Sequence, residues 1–320
     1  MVDSDRRLDG KLVTITGGSG FVGGHLAQTL LERGCRLRIV SRHPERAFRL
    51  RPLANLGQVQ FVRGDTSRPE TIARAFDGAH GAVNLVGAFA GDLDALQGEG
   101  AGRIAALARQ AAVEAFVHVS ALGADATSRS DYARTKAEGE AAVRAAFPGA
   151  TIVRPPVLFG EDDAFVNRLA KLIARLPALP VFGPHARLQP LNVDDAAGAI
   201  ANALADPAAH GGKTYEIAGP EALTMLEINR RIAAAQGRST ALIALPDAVS
   251  GAFATLTGWL PGAPLSRDQW ALLKAGSELR GKNGLKALGV VPRPLGLFLD
   301  RWMVRYRKHG RFGAKARAPR

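Results

Sequence analysis

The 320-residue sequence predicts an α/β fold: a doubly wound parallel sheet with a smaller, discontinuous C-terminal region. Short apolar runs rich in Val and Ile alternate with longer alanine-rich stretches, as parallel strands do when crossover helices join them. A glycine-rich turn follows the first of these runs. Beyond Pro155 and Pro156 the alternation fades, and further prolines interrupt any long helix. The regular sheet is therefore expected in the first half of the chain.

The apolar runs predict six strands, and the stretches between them predict four helices. The strands are Lys11–Thr16, Arg36–Ser41, Val59–Arg63, Gly81–Val86, Ala115–Ser120 and Ala150–Arg154. The helices lie near residues 23–33, 69–76, 98–113 and 134–146. Further on, Leu188–Ala205 has the pattern of a strand leading into a helix, and Lys213–Ala218 that of another strand. The chain is therefore expected to return to the sheet.

These elements define the expected domain organisation. Residues 1–157 form the sheet domain, and residues 186–218 complete its sheet. Residues 158–185 and 219–300 form a smaller C-terminal or docking region, and residues 301–320 form a basic tail.

Composition limits the class of protein and its compartment. No run of about 18 apolar residues occurs without a charge, so no membrane-spanning helix is expected. The N-terminus has no apolar segment and contains Asp3, Asp5 and Asp9, which suits neither a secretory signal nor a transit peptide. The single Cys35 excludes an intrachain disulfide and fits a reducing compartment. We therefore expect a soluble or peripheral protein of a bacterial cytoplasm.

The chain is strongly basic, with a formal net charge of +13, which favours an acidic partner. Much of the excess lies in residues 301–320, which contain eight Lys and Arg residues and no acid. Zinc-finger spacing and RNA-recognition signatures are missing, and only three Trp and three Tyr residues could stack on bases. We therefore expect no nucleic-acid partner and no metal site, and the acidic partner would be an anionic membrane surface or a protein.

The glycine-rich turn is the strongest functional signal. Leu12–Thr16 runs directly into Gly17-Gly-Ser-Gly-Phe-Val-Gly23, and a helix follows. The first glycine permits a tight turn, Gly20 lets the backbone approach a pyrophosphate, and the last lets helix and strand pack closely. A flexible loop is the alternative. The turn predicts a dinucleotide site whose contact residues are Gly17, Ser19, Gly20, Phe21, Val22 and Gly23.

The end of the second strand predicts which dinucleotide binds. Enzymes that use NAD usually have an acid there for the ribose hydroxyls, whereas this chain has Ser41 and Arg42. Because Arg pairs with a ribose 2′-phosphate, the sequence favours NADP(H) over NAD(H). The alternative is that Arg42 and Arg46 are solvated surface charges. Asp65, with Thr66, is a candidate adenine contact; a turn or helix-capping role is the alternative.

Tyr132 and Lys136 are four residues apart at the start of a predicted helix, so they share one helix face. An ammonium beside a phenol lowers the phenol's pKa, which allows Tyr to act as a general acid or base at a carbonyl. Such pairs occur by chance on many helices. Together with the nucleotide turn, however, the pair predicts a site at which Tyr132 could act as a general acid or base. His118, on an apolar strand, is expected to be a core residue.

These motifs resemble the short-chain dehydrogenase/reductase superfamily, extended or atypical branch. The resemblance rests on Thr16–Gly23, on Tyr132-x-x-x-Lys136, and on Val153-Arg-Pro155 followed by Leu158-Phe-Gly160. More narrowly, the chain resembles the nucleotide-binding accessory subunits of respiratory complex I and their bacterial relatives. That likeness rests on Phe116–Ser120, Ala146–Pro155, Phe159–Asp163 with Phe165–Asn167, Gln189-Pro190 before Val193–Asp195, and Pro264–Asp268.

The resemblance implies a Rossmann domain that holds NADPH tightly without a demonstrated need for turnover. It adds Val86, Gly87, Val119 and Pro155 to the cofactor contacts. Tyr132 and Lys136 would bind the nicotinamide ribose, and Ser120 would be the carbonyl donor if the protein is active. Two departures put turnover in question: Ala121 would occupy the catalytic serine's place if Ser120 ends the strand, and Gln97 stands about where active members often have Asn.

The sequence is compatible with three functions. The first is an NADP(H)-binding accessory protein of complex I, peripheral on the cytoplasmic face of a bacterial inner membrane. The second is a free-standing reductase or epimerase that acts on a carbonyl or hydroxyl substrate. The third is an NADPH-sensing binding protein. Residues 295–308 could form an amphipathic helix on an anionic membrane or against complex I subunits, or could pack on their own domain.

Overall fold

The computed structural model describes residues 7–258, 265–308 and 310. Its strands are β1 Leu12–Thr16, β2 Arg36–Ser41, β3 Val59–Arg63, β4 Gly81–Asn84, β5 Ala115–Val119, β6 Thr151–Arg154, β7 Leu158–Phe159, β8 Ala178–Val181, β9 Arg187–Leu188, β10 Leu191–Asn192, β11 Thr214–Glu216, β12 Leu223–Thr224 and β13 Ala241–Ala244.

The α-helices are α1 Phe21–Glu32, α2 Pro69–Ala73, α3 Glu99–Gln110, α4 Asp131–Ala146, α5 Phe165–Arg175, α6 Val193–Ala205, α7 Pro207–His210, α8 Met225–Gln236, α9 Asp247–Thr257, α10 Arg267–Ala275 and α11 Gly296–Trp302. Tighter 3-10 segments occupy Pro44–Leu53, Arg74–Phe76 and Met303–Tyr306, and a π-helical turn spans Asp94–Gly98.

The chain divides into two compact units. Unit 1 comprises Met1–Pro155, Val193–Ile217 and Leu279–Val291; unit 2 comprises Pro156–Asn192, Ala218–Glu278 and Pro292–Arg320. The sequence pattern placed 279–291 in the C-terminal region and 186–192 with the sheet. Gly284 donates its N–H to the carbonyl of Glu216 on β11, which shows how the former segment joins unit 1.

Unit 1 contains a seven-stranded parallel sheet in the order β11-β6-β5-β4-β1-β2-β3. The predicted fold class, a doubly wound parallel sheet, is confirmed. The strand order reverses between β1 and β4, and ligands of such sheets bind beyond the carboxyl ends of the strands at this reversal. The sheet therefore has its switch point directly at the glycine-rich turn.

The sequence prediction differs from the structure at several strand boundaries; β1 and β6 begin one residue later than predicted, and β11 is shorter at both ends. β4 ends at Asn84 instead of Val86, because the Asn84 side chain accepts the Val86 N–H and turns the backbone. β5 ends one residue early, at Val119. The strand expected within Leu188–Ala205 is only Leu191–Asn192, and it pairs with β7 in unit 2 instead of joining the large sheet. β11 does return to the sheet, at its edge.

Small residues let the helices on one face of the sheet approach closely. α3 packs against α4, and the buried apolar side chains around them include Ile104, Ala105 and Val143. Gly139 on α4 faces the π-helical turn so closely that an added Cβ would lie 2.0 Å from the carbonyl oxygen of Gln97. On the other face, α1 packs against α6.

Unit 2 has its own apolar core, to which the end of the described chain contributes. Leu295, Leu299 and Met303 are buried in this core, and Phe298 and Trp302 pack against it. Most apolar residues of the predicted amphipathic segment therefore pack within unit 2, whereas Leu297 is exposed. The sequence predicts a tail from residue 301, but residues 301–306 belong to the end of α11 and to the 3-10 segment that follows it. Of the predicted tail beyond residue 308, all but residue 310 lies outside the described residues.

Neither a spanning helix nor a metal cluster occurs in the part of the chain that the structure describes. None of its helices is both long and apolar enough to cross a membrane. None of its His, Cys, Asp and Glu residues form a group of three or more that could hold a metal ion.

The approach of α4 to the π-helical turn predicts that Gly139→Ala is destabilising. On helix propensity alone, Ala would stabilise α4 by about 1 kcal/mol. The clash with the Gln97 carbonyl should reverse the sign and lower the free energy of unfolding by about 2 kcal/mol, as overpacking does. Urea denaturation measures the change. Gly281→Ala is the control, because a Cβ there meets nothing within 4 Å; equal effects of the two variants would contradict the packing account.

Candidate nucleotide-binding site

The glycine-rich turn between β1 and α1 has the steric requirements that the sequence predicts. Gly17 adopts φ +75°, a left-handed conformation that favours glycine, and donates its N–H to the Val40 carbonyl at 3.0 Å. A Cβ on Gly23 would lie 2.5 Å from the carbonyl oxygen of Gly18, so only glycine permits this packing of helix against turn. The turn is thus compact, and its backbone can lie close to a ligand.

The N-terminus of α1 is suited to bind an anion. Gly20 precedes the helix, no side chain caps it, and its first turn contains no acidic residue. The first N–H groups of a helix have no intrahelical acceptor, and the helix dipole places partial positive charge there. A dinucleotide pyrophosphate therefore fits over the N–H groups of Phe21 and Val22.

Two hydroxyl groups meet where the turn approaches the end of β2. The Oγ atoms of Ser19 and Ser41 are 2.6 Å apart, and Ser41 Oγ accepts the N–H of His43 at 3.1 Å. Arg42 is exposed beside them. The structure therefore brings Ser19, predicted as a contact of the glycine-rich turn, next to Ser41, predicted as a contact at the end of β2.

Asp65 lies beyond the end of β3 and takes part in a turn. Its Oδ1 accepts the N–H of Ser67 at 3.0 Å and the hydroxyl of Ser67 at 2.8 Å. The Ser67 backbone hydrogen bond, followed by its hydroxyl and by the charges of Arg42 and Arg68, lowers the pKa of the carboxyl. This geometry matches the turn-forming alternative for Asp65. Thr66, the next residue, is half-buried.

Two buried amides shape the loop after β4. Asn84 Oδ1 accepts the Thr16 hydroxyl and the Val86 N–H, both at 3.0 Å. Gln97 Oε1 accepts the Ala88 N–H at 3.2 Å, and its Nε2 donates to Thr135 Oγ1 on α4 at 2.8 Å. The loop is thereby fixed to the end of β1 on one side and to α4 on the other.

The sequence analysis identifies Gln97 only as a difference from active relatives, and Asn84 is not among the predicted site residues. The available signal for Asn84 was a polar residue ending an otherwise apolar strand.

Lys136 is 3% exposed and joins three elements of the site. Its Nζ donates to the carbonyls of Val86 and Val119, both at 3.3 Å. Burial lowers the pKa of the ammonium to about 8, and the Glu140 carboxylate opposes that shift. A Cβ on Gly87 would lie 3.0 Å from Nζ, so this glycine leaves room for the ammonium. Val86, Gly87 and Val119, all predicted contacts, thus surround Lys136.

Tyr132 lies one turn before Lys136 on α4. Its half-buried ring stacks on Phe89, with centroids 4.4 Å apart and an interplanar angle of 15°. The Lys136 Nζ is 5.9 Å from the centre of the same ring. Ser130 caps the helix by accepting the Ala133 N–H at 3.3 Å. The phenol and the ammonium therefore share one face of a well-anchored helix, as the spacing predicts.

Ser120 follows β5 directly and is 4% exposed. Its N–H donates to the Val153 carbonyl at 2.8 Å, whereas its Oγ has no hydrogen-bond partner within the described residues. The next residue, Ala121, is half-buried, and the Leu122 N–H donates to the carbonyl of Pro155 at 2.7 Å. The hydroxyl nominated as a carbonyl donor is thus buried, and the more accessible neighbour has no hydroxyl.

His118 lies on β5 and is a neutral core residue, as expected. It is fully buried, and burial, followed by the charge of Lys136, lowers its pKa to about 3. Its Nδ1 accepts from Asn84 Nδ2 at 3.1 Å. The imidazole therefore supports the buried amide of Asn84 and does not serve as an exposed base.

The sheet reversal, the glycine-rich turn, the exposed α1 N-terminus and the buried lysine together define a protein that binds a nicotinamide dinucleotide. Comparison with known proteins agrees with this class. A family model described as NAD(P)H-binding matches residues 17–172.

Three relatives identify the family more closely. Mitochondrial NADH dehydrogenase (ubiquinone) 1 alpha subcomplex subunit 9 of Dictyostelium discoideum is 36% identical over 67% of this chain and 61% of its own length. The same subunit of Mus musculus is 31% identical over 91% of this chain and 79% of the subunit. Ceramide reductase of Caulobacter vibrioides is 36% identical over 74% of each chain. The chain belongs to this family of NAD(P)-binding proteins, which unites the complex I subunit with extended short-chain reductases.

Solved structures have the same fold. Triphenylmethane reductase of Citrobacter sp., complexed with NADP(H), superposes with a TM-score of 0.74 over 91% of this chain and 99% of its own. At 20% identity, this likeness concerns the fold alone.

The burial of Lys136 predicts a pH-dependent stability difference between the wild type and Lys136→Met. The pKa is lower in the folded than in the unfolded chain, so between about pH 8 and 10.5 the unfolded chain binds the additional proton. Below this window, burial of the charged ammonium lowers the free energy of unfolding. Above it, the lysine is neutral in both states and this cost disappears. Relative to Lys136→Met, the wild type should therefore gain about 2 kcal/mol of unfolding free energy between about pH 7 and pH 10.

Urea denaturation of both proteins at the two pH values measures this difference. The exposed Lys171 provides the control variant Lys171→Met, which should give a constant difference. A constant difference for Lys136→Met as well would show that the ammonium is not buried in the folded protein.

Proposed function

We propose that this chain binds NADP(H) as a tightly held, mainly structural cofactor and serves as an accessory protein of respiratory complex I. The observation that carries the proposal is the combination of an intact cofactor face with a missing carbonyl donor. Tyr132 and Lys136 are positioned on α4, whereas the Ser120 hydroxyl is buried and Ala121 follows it. Such a site can hold a nicotinamide ribose without a hydroxyl to polarise a substrate carbonyl.

The preference for NADP(H) is supported by the polar groups at the end of β2. Ser19 and Ser41 provide hydroxyls, Arg42 provides a guanidinium, and no carboxylate occupies the position that contacts the ribose in NAD enzymes. A guanidinium forms charge-assisted hydrogen bonds with a phosphate, which a carboxylate would repel.

Lys136 and Tyr132 would hold the other end of the cofactor. The Lys136 ammonium can donate to ribose hydroxyls while it keeps its contacts to the Val86 and Val119 carbonyls, because ammonium groups have three donors. The cofactor would then stabilise the loop after β4, the end of β5 and α4 together.

The accessory role is supported by relatives whose names describe subunits of NADH dehydrogenase (ubiquinone). We place the protein at the cytoplasmic face of a bacterial inner membrane, bound to complex I subunits. The net positive charge of the chain suits an acidic protein or anionic lipid there.

A free-standing reductase is the second candidate, favoured by the similarity to ceramide reductase and by the Tyr132–Lys136 pair. When bound, NADPH would supply the hydride that reduces a substrate carbonyl carbon. Tyr132 would donate the proton to the carbonyl oxygen, and Lys136 would lower the pKa of the phenol. Ser120 would have to become accessible before it could donate a hydrogen bond to the carbonyl.

Purification of the native protein tests the accessory role. We expect the protein to co-migrate with complex I in native gels of solubilised membranes. We also expect mass spectrometry to find about one NADP(H) per chain, because a tightly bound nucleotide stabilises the folded state and remains bound during purification. Recovery only from the soluble fraction, without nucleotide, would overturn the proposal. A known complex I subunit in the same gel controls for solubilisation.

Arg42→Asp tests the cofactor preference. Loss of a charge-assisted contact together with added repulsion should weaken NADPH binding by about tenfold or more, with little effect on NADH. Isothermal titration of nucleotide-free protein measures both affinities. Arg109→Asp, an exposed position near the end of α3, is the charge-matched control. Equal losses for the two nucleotides would remove Arg42 from the 2′-phosphate site.

A further inference from the structure

A second arginine, Arg49, lies against the first turn of α1. Its Nη2 donates to the carbonyl oxygen of Gly20 at 3.4 Å. A Cβ placed on Gly24 would lie 2.6 Å from the same nitrogen, so the guanidinium is seated on the bare backbone of this glycine. Gly24 lies one residue beyond the glycines that the nucleotide turn requires, and it provides space for a side chain that approaches from elsewhere in the fold.

The 3-10 segment Pro44–Leu53 holds Arg49 in this position. Ala47 and Leu50, on either side of it, are buried and anchor the segment on unit 1. Arg51 has a different environment, since its guanidinium lies 3.8 Å from the centre of the Phe48 ring. The segment thus directs one arginine onto α1 and another onto an aromatic ring.

Arg49 lies beside the polar groups already assigned to the adenosine ribose. Gly20, which it contacts, follows Ser19, and Ser19 Oγ is 2.6 Å from Ser41 Oγ. Arg42 follows Ser41 in the chain. Two hydroxyls and the Arg49 guanidinium therefore lie near the end of β2 and the N-terminus of α1, where the helix dipole also attracts an anion.

The position of Arg49 favours the 2′-phosphate over the pyrophosphate as its ligand. A pyrophosphate binds on the side of the turn where the backbone N–H groups point. Arg49 contacts instead a carbonyl of the turn and the flank of α1, and it comes from the segment that follows β2. The end of β2 is where this fold binds the adenosine ribose.

We infer that Arg49 is a specificity-determining residue that binds the 2′-phosphate of NADP(H) from the α1 side, in addition to Arg42. This inference rests on the proposed function, namely that the chain prefers NADP(H). In this arrangement Arg42 and Arg49 bind the same phosphate. Gly24 has no side chain and therefore leaves room for the Arg49 guanidinium.

Nucleotide titrations of three variants test the inference. Arg49→Gln should weaken NADPH binding by about tenfold or more and change NADH binding by less than about threefold, as expected for one lost charge-assisted contact. Gly24→Ala keeps the arginine but places a methyl group where its guanidinium lies. This variant should lower the affinity for NADPH relative to that for NADH, as Arg49→Gln does. Arg51→Gln is the matched control and should leave both affinities unchanged. Circular dichroism verifies that each variant folds.

The outcomes are distinguishable. Equal weakening of NADPH and NADH by Arg49→Gln would assign Arg49 to the pyrophosphate or the turn and overturn the inference. An unchanged NADPH affinity in Arg49→Gln, with a wild type that prefers NADPH, would overturn the inference alone. A wild type that binds NADH as tightly as NADPH would overturn both the inference and the proposed cofactor preference.

Discussion

The buried ammonium of Lys136 is the interaction on which the candidate site depends. It joins the carbonyls of Val86 and Val119 to α4, so the loop after β4, the end of β5 and the helix that carries Tyr132 are held together by one charged group. Burying a charge is costly, and the lowered pKa expresses that cost. Buried groups with shifted pKa values are common at functional sites, and a nucleotide ribose is the ligand that we propose for this one.

Binding and catalysis are separable in this arrangement. The groups that we propose as dinucleotide contacts are the backbone of the glycine-rich turn and one face of α4, and the structure contains both. The carbonyl donor needed for reduction depends on one hydroxyl, and Ser120 is buried. A family that contains both complex I subunits and reductases is consistent with a common scaffold in which small changes after β5 separate the two roles.

The sequence predicted those features that depend on local patterns. β2 and β3 have the predicted bounds, because apolar runs between turn residues fix them, and the glycine positions of the nucleotide turn follow from steric needs. Features that depend on contacts distant in sequence were missed. β4 ends early because of the Asn84 side chain, β10 pairs with β7 instead of the large sheet, and Arg49 reaches α1 from a separate segment.

We propose that the nucleotide, when bound, has a structural role. The most direct measurement is a single-turnover experiment, in which the near-ultraviolet absorbance of stoichiometrically bound NADPH is followed after addition of a small ketone, a ceramide-type carbonyl or a quinone. We predict that the absorbance persists, because the Ser120 hydroxyl is buried and cannot donate to a substrate carbonyl. Rapid loss of the absorbance, with formation of the corresponding alcohol or quinol, would contradict the account and identify the protein as a reductase.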